Sequence, residues 1–148
     1  MAALDENLST ALVAEILAVE QMTRSLLAKG LPKGMELSHF MVLNLLSRSS
    51  SELTPAQLAD RFHLTRGAMT NTLSRLEAMG HVHIRPDWDD ARRKRVSISP
   101  AGRAARDTAL AAMSPEISRI VARVGSERIK TALAILRDLR LEIADDLA

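Results

Sequence analysis

The sequence predicts a mainly α fold with one small β-wing. A helix-turn-helix is followed by a hairpin, and long amphipathic helices lie at both ends of the chain. Three observations predict this. Hydrophobic residues make up 47% of the 148 residues while aromatics are 2% and Tyr is absent, so the core rests on Leu, Ile, Val, Ala and Met, which favours helices over sheets. Apolar side chains recur at helical spacing over both terminal thirds. Between them, two short runs switch to period two on either side of a polar stretch.

Taken in order, residues 4–28 place Leu4, Leu8, Leu12, Ile16, Val19 and Leu26 on one stripe, with Leu17 and Leu27 beside it, which is a long amphipathic helix. "KGLPKGMEL" ends it with two Gly and a Pro. Ser38 is the expected N-cap of a helix from His39 to about Arg48, with Phe40, Leu43 and Leu46 inside. "SRSSSE" is a loop. Thr54 then caps a helix of about eight residues, with Pro55 at its first position and Gln57 where a capping box needs it. His63-Leu64 makes a tight connection, Thr65 caps the next helix, and Gly80 stops it.

Val82 and Ile84 alternate with His81, His83 and Arg85; Val96 and Ile98 alternate with Arg95, Ser97 and Ser99. With the polar stretch Asp87 to Arg93 between them, these runs form a β-hairpin. Ser99-Pro100 opens another helix, and Ser114-Pro115 repeats the start signal, so a kink or restart is expected there. Gly125-Ser126 ends that helix and caps the last one. Its stripe is Ile129, Leu133, Leu136, Leu139, Ile143 and Leu147.

Charge is uneven. Residues 61–106 hold ten Lys/Arg against four Asp/Glu, and the remainder ten against fourteen. Such asymmetry points one region at an anion. Cys is absent, which excludes disulfides, thiolate zinc sites and thiol redox chemistry. No stretch approaches the roughly 20 apolar residues of a membrane span. The acidic N-terminal segment is unlike a signal peptide, so a soluble cytoplasmic protein is expected. His81 and His83 share a strand face while His39 and His63 stand apart. No His lies with carboxylates at ligand spacing, so no metal is expected. No Ser/His/Asp arrangement or phosphate-binding Gly loop is present, so no enzyme and no cofactor are expected.

The helix from Leu64 to Gly80 is the most informative segment. At about 100° per residue, Leu73 and Leu76 fall within roughly 40° of Met69, and these three bury the helix. Gly67, Asn71, Ser74 and Ala78 cluster near the opposite pole, flanked by Thr70 and Arg75, with Arg66 in the first turn. A DNA major groove admits a helix only if its outer face is slim, and bases are read by hydrogen bonds from Asn, Ser, Thr and Arg. Free N–H groups at the helix start favour phosphate. Beside it, the hairpin supplies Arg92, Arg93, Lys94 and Arg95 in succession, within reach of phosphates or the minor groove. Asp87, Asp89 and Asp90 look out of place against DNA. Asp90 is expected to pair with Arg92 across the turn, fixing the wing tip.

Residues 53–102 resemble the MarR family of winged helix-turn-helix regulators. The family's wing pattern is roughly Asp-Pro-x-Asp-x-Arg, a Val, then Leu-Thr-x-x-Gly. Here it stands as Asp87-Trp88-Asp89-Asp90-Ala91-Arg92, Val96 and Ile98-Ser99-Pro100-Ala101-Gly102. The family's recognition-helix pattern stands as Thr70 and Arg75-Leu76-Glu77-Ala78-Met79-Gly80. Trp88 in place of Pro, and Ala91 in place of a frequent Arg, are departures: the first puts an aromatic at the wing tip and the second removes a possible DNA contact.

The resemblance implies one MarR-like domain over residues 1–148, with 36–100 as the DNA-binding winged part and 1–30 and 101–148 as helical dimerisation parts. Its function would be a homodimeric repressor on a pseudo-palindromic operator in double-stranded DNA. The DNA-binding set would be Thr65, Arg66, Gly67, Thr70, Asn71, Ser74, Arg75, Arg92, Arg93, Lys94 and Arg95. The terminal stripes support a dimer independently, because they exceed what one small winged domain can cover. The family also implies release by a small amphipathic or aromatic ligand, with Met35, His39 and Met113 as pocket candidates. The competing reading is a winged-helix protein–protein assembly module; such modules often lose the basic wing and slim face, and both are present here.

Overall fold

The computed structural model describes residues 2–147, with side chains from residue 5 onward; Leu4 of the first stripe therefore lies outside the described side chains. The element order is α1 (Ala2–Gly30), α2 (Leu37–Arg48), α3 (Pro55–Arg61), α4 (Arg66–Ala78), β1 (Val82–Pro86), β2 (Lys94–Ile98), α5 (Pro100–Val124) and α6 (Ser126–Asp146). The mainly helical winged helix-turn-helix read from the sequence is the fold observed. The chain separates into two compact units, residues 1–112 and 113–148.

In the first unit, Val42, Leu43 and Leu46 of α2, Leu58 and Ala59 of α3, and Met69, Leu73 and Leu76 of α4 form one core with Leu53, Val82 and Val96. Local chemistry fixes the helix ends around it. Thr54 Oγ1 accepts from the Gln57 amide at 3.1 Å while the Thr54 amide donates to Gln57 Oε1 at 2.9 Å. This reciprocal pair starts α3. Both short helices end alike. The His63 amide donates to Asp60 O and the Leu64 amide to Ala59 O, while the Gly80 amide donates to Glu77 O and the His81 amide to Leu76 O. These are paired Schellman closures. They require a left-handed residue, which is Gly80 at φ +76° in one case and His63 at φ +50° in the other. His63 bears the steric cost of its Cβ there, about 1–2 kcal/mol.

The wing pairs antiparallel, with Val82 opposite Ile98, Ile84 opposite Val96 and Arg85 opposite Arg95. Apolar and basic faces alternate as the period-two runs require. Leu53 adds a bridge to Val96 through two backbone hydrogen bonds of 3.1 and 2.7 Å. The loop before α3 thus acts as a one-residue third strand. At the base of the wing, Ser99 Oγ donates to Gly80 O at 2.6 Å and accepts from the Gly102 amide at 2.9 Å. A Cβ at Gly102 would lie 2.0 Å from the His81 carbonyl oxygen, so only glycine lets α5 start this close to the wing.

Three expected boundaries differ. The N-cap of α2 is Glu36, not Ser38: its amide donates to His39 Nδ1 at 3.2 Å, and Ser38 falls in the first turn. α5 does not restart at Ser114-Pro115 but runs unbroken from Pro100 to Val124. Pro115 lies inside it and leaves one intrahelical hydrogen bond unmade. α6 is capped by Gly125 at φ +99°, and Ser126 is already helical, without a side-chain cap.

Candidate nucleic-acid interface

Thr65 sits in extended conformation before α4, and its Oγ1 accepts from the Ala68 amide at 3.1 Å. The cap sets where the helix begins. Met69, Leu73 and Leu76 are 0–2% exposed, which fixes the rotation of α4 about its axis. Gly67, Thr70, Asn71, Ser74 and Ala78 are accordingly exposed. The first amides of such a helix have no carbonyl behind them and carry partial positive charge.

A groove of about 1020 Å³ runs between α4, the start of α3 and the wing. Arg66, Thr70, Ser74 and Glu77 form its α4 wall; Thr54 to Gln57 lie at one end, and Arg85, Pro86 and Arg92 to Arg95 form the wing wall. The structure thus gathers Arg66, Thr70, Ser74, Arg92, Arg93, Lys94 and Arg95 around one opening. Gly67 and Asn71 are exposed on α4 but do not line that groove. Arg75 is held elsewhere: its Nη1 donates to Glu36 Oε1 at 2.8 Å, tying α4 to the start of α2.

The wing is laced by carboxylates. Arg92 donates from Nε and Nη2 to Asp90 at 3.1 and 3.3 Å, and its amide also donates to Asp90 at 3.1 Å. These contacts hold the Asp90 carboxyl below its ordinary range, the Arg92 side chain contributing first. The Arg92 side chain still remains 90% exposed. Asp87 accepts from the Asp89 amide at 3.0 Å and from Arg95 Nε at 2.8 Å. The first of these is the larger cause of its lowered pKa. Arg95 is therefore a strut as well as a wall residue. Arg85 donates from Nε and Nη2 to Glu52, and its guanidinium lies 3.8 Å from the centroid of the Trp88 ring.

Three of these contacts escaped the sequence reading. The Asp87–Arg95 pair was accessible in principle, since a hairpin register with Pro86 opposite Lys94 brings the two near each other. Arg85–Glu52 and Arg75–Glu36, separated by 33 and 39 residues, had no local signal. Glu77 in the α4 wall was also missed, although it belongs to the recognition-helix pattern.

Of the three pocket candidates, Met35 is half-buried against the core of the first unit. His39 is buried, with Nδ1 engaged by the Glu36 amide. Met113 is buried and opens the second unit. Among the described residues, no group of three His, Asp or Glu could hold a metal ion, and no helix is long and apolar enough to cross a membrane.

Comparison with known proteins agrees with this geometry. The model of the MarR family matches residues 33–93. Over those residues the chain is similar to the MarR family. A probable transcriptional regulator from Pseudomonas aeruginosa is similar at 26% identity and a TM-score of 0.73, over 84% of this chain and 92% of that one. A mutant MarR from E. coli, solved in complex with operator DNA, gives a TM-score of 0.79 at 24% identity, over 90% of this chain and 96% of its own. The PcaV regulator from Streptomyces coelicolor, solved with its natural ligand, gives 0.71 at 19% identity, over 88% and 89%. At that identity, the last two likenesses concern the fold. No curated protein matches the chain. The resemblance is to MarR-type transcriptional regulators.

Proposed function

We propose that the chain is a sequence-specific regulator of transcription that binds duplex DNA in the cytoplasm as a homodimer. The observation that carries this reading is the slim, exposed face of α4 beside a wing whose Arg92, Arg93 and Lys94 are exposed. The helix enters the major groove, with Asn71, Thr70 and Ser74 at base edges, and Arg66 and the wing cations grip phosphate and the neighbouring minor groove. The operator complex of the similar E. coli MarR supports the choice of partner.

The dimer rests on apolar stripes left open on each terminal helix. Leu8, Leu12, Leu17 and Met22 of α1 are 41–72% exposed, Leu133, Leu136 and Ile143 of α6 are 44–54% exposed, and Leu147 just after it is 74% exposed. A second copy covers them, and two-fold symmetry sets two α4 helices about one DNA turn, roughly 34–36 Å, apart. The site is then pseudo-palindromic. Occupying it near a promoter represses. A small amphipathic ligand that favours a different spacing releases the DNA; the ligand complex of the similar PcaV supports a ligand-responsive scaffold.

Selection of bound sequences from a random duplex pool tests the reading. A recovered motif with two inverted half-sites is expected, and affinity for it should fall steeply with salt, with a log–log slope near −0.9 per phosphate contacted. Recovery of no motif, with binding indifferent to salt, would favour an assembly module instead.

A further inference from the structure

Trp88 is the one tryptophan of the chain, and its side chain stands 86% exposed in the loop joining the two wing strands. The other two aromatics, Phe40 and Phe62, lie in or against the core of the first unit. An indole placed in water at a loop tip contributes nothing to that core. Yet it is not left to rotate freely, because the Arg85 guanidinium lies over the ring at 3.8 Å. Arg85 is itself held from two sides. Glu52 takes its Nε and Nη2, and its Nη1 donates to the Pro86 carbonyl at 2.9 Å. The loop beneath the ring is tied by Asp87, which accepts from both the Asp89 amide and Arg95. One face of the indole is thus stacked on a fixed cation and the other is open.

We propose that Trp88 is a DNA-contacting residue whose open face packs on the sugar edge of the groove beside the one α4 enters. This rests on the DNA-binding reading above and adds a contact that its cationic residues do not supply. Arg85, Pro86 and the exposed Arg92, Arg93 and Lys94 border the groove beside α4, and Trp88 stands in the loop of the same wing. Reach is sufficient: strands of five residues extend about 17 Å at ~3.4 Å per residue, more than the ~10 Å width of a helix. Apolar side chains on such projections work as wedges against the minor groove. The surface offered is flat, apolar and backed by a cation, which suits deoxyribose and base edges better than phosphate. Preorganisation by Arg85 lowers the ordering cost of the contact.

Because there is a single tryptophan, its fluorescence reports this site alone. Full-length protein is titrated with the selected duplex while a labelled copy of that duplex reports binding separately by anisotropy. On binding, Trp88 emission should change and its quenching by acrylamide should fall. Trp88→Ala should weaken the complex about tenfold, a loss within the range of aromatic stacking on nucleic acid, and Trp88→Phe should recover part of it. The salt slope of Trp88→Ala should equal the parent's, because a ring releases no counterions, whereas Arg93→Ala should lower it by about 0.9. Binding by anisotropy with unchanged Trp88 emission, or with parental affinity in Trp88→Ala, overturns the proposal and leaves DNA binding intact. An emission change that follows protein concentration without DNA also overturns it, by placing the ring between copies. Absence of any duplex binding overturns both readings together.

Discussion

The apolar stripe of α4 and those of α1 and α6 are written in the same helical spacing and finish in opposite environments. Met69, Leu73 and Leu76 are at most 2% exposed, while Leu17 of α1 is 62% exposed and Leu136 of α6 50%. α4 is short and lies against α2, α3 and β1. α1 and α6 run for 29 and 21 residues, and much of each stripe is left open within its own unit. The difference teaches what a hydrophobic period can and cannot say. It states that a face needs cover. Whether the cover comes from the same chain depends on how much neighbouring surface the chain has to give.

The comparison breaks most sharply at Leu17. An Asp there puts a charge into a stripe that the dimer reading covers. Leu17→Asp should sediment as a single subunit and, having lost linkage between two reading helices, bind the operator about 10²- to 10⁴-fold more weakly. A dimer of parental affinity would show that the seam lies off this part of α1. On the covered side, Leu76→Ala removes a side chain at 0% exposure and should cost about 2–5 kcal/mol in urea unfolding. A loss well under 1 kcal/mol would mean that the winged core is looser than its packing indicates.

Most of the architecture was legible because local chemistry decided it. Thr54-Pro55-Ala56-Gln57 announces α3 in four residues, Gly80 closes α4, and period two switches on at Val82. What was misread were places where a stronger partner displaced the obvious one. Ser38 is a good N-cap by type, but the contact between the Glu36 amide and His39 Nδ1 starts the helix two residues earlier. Ser114-Pro115 carries the start signal used at Ser99-Pro100, yet α5 passes through it. Ser99 differs in having both Gly80 O and the Gly102 amide to bond. In the candidate interface, the α4 face and the basic wing were readable from period and charge. The anchoring of Arg85 by Glu52 and of Arg75 by Glu36 was not, since only the folded chain brings those carboxylates near.

A finer version of the contrast lies on the candidate interface, between a side chain proposed to read bases and one proposed to grip the backbone. Asn71→Ala and Arg92→Ala should each weaken operator binding by about 1–3 kcal/mol without changing the dimer. Asn71 loss should flatten discrimination at one base pair, whereas Arg92 loss should act about equally on all sequences and reduce the salt slope. Parallel titrations of the operator, point-changed operators and random duplex separate the two. Equal behaviour of both variants would dissolve the division of labour between α4 and wing.

The smallest effect concerns a polar group on the covered side. His39 is 3% exposed, and burial, aided by the nearby Arg75 and His81 and opposed by Glu36, pushes its pKa below the ordinary 6.5. Protonation would also place a hydrogen on Nδ1, which now accepts from the Glu36 amide, turning the cap acceptor into a second donor. Since the folded value lies below the unfolded one, the unfolded chain binds more protons between them. The stability that neutral His39 contributes is complete above about pH 6.5 and is lost as pH falls from there through the folded pKa. Urea midpoints should therefore decline on passing from pH 7.5 to 5.5. In His39→Gln, which keeps an acceptor at the same helix position but cannot titrate, the decline should shrink. An unchanged decline in that variant would assign the titration to another group and leave α2 capped by a histidine whose charge state has no influence on the fold.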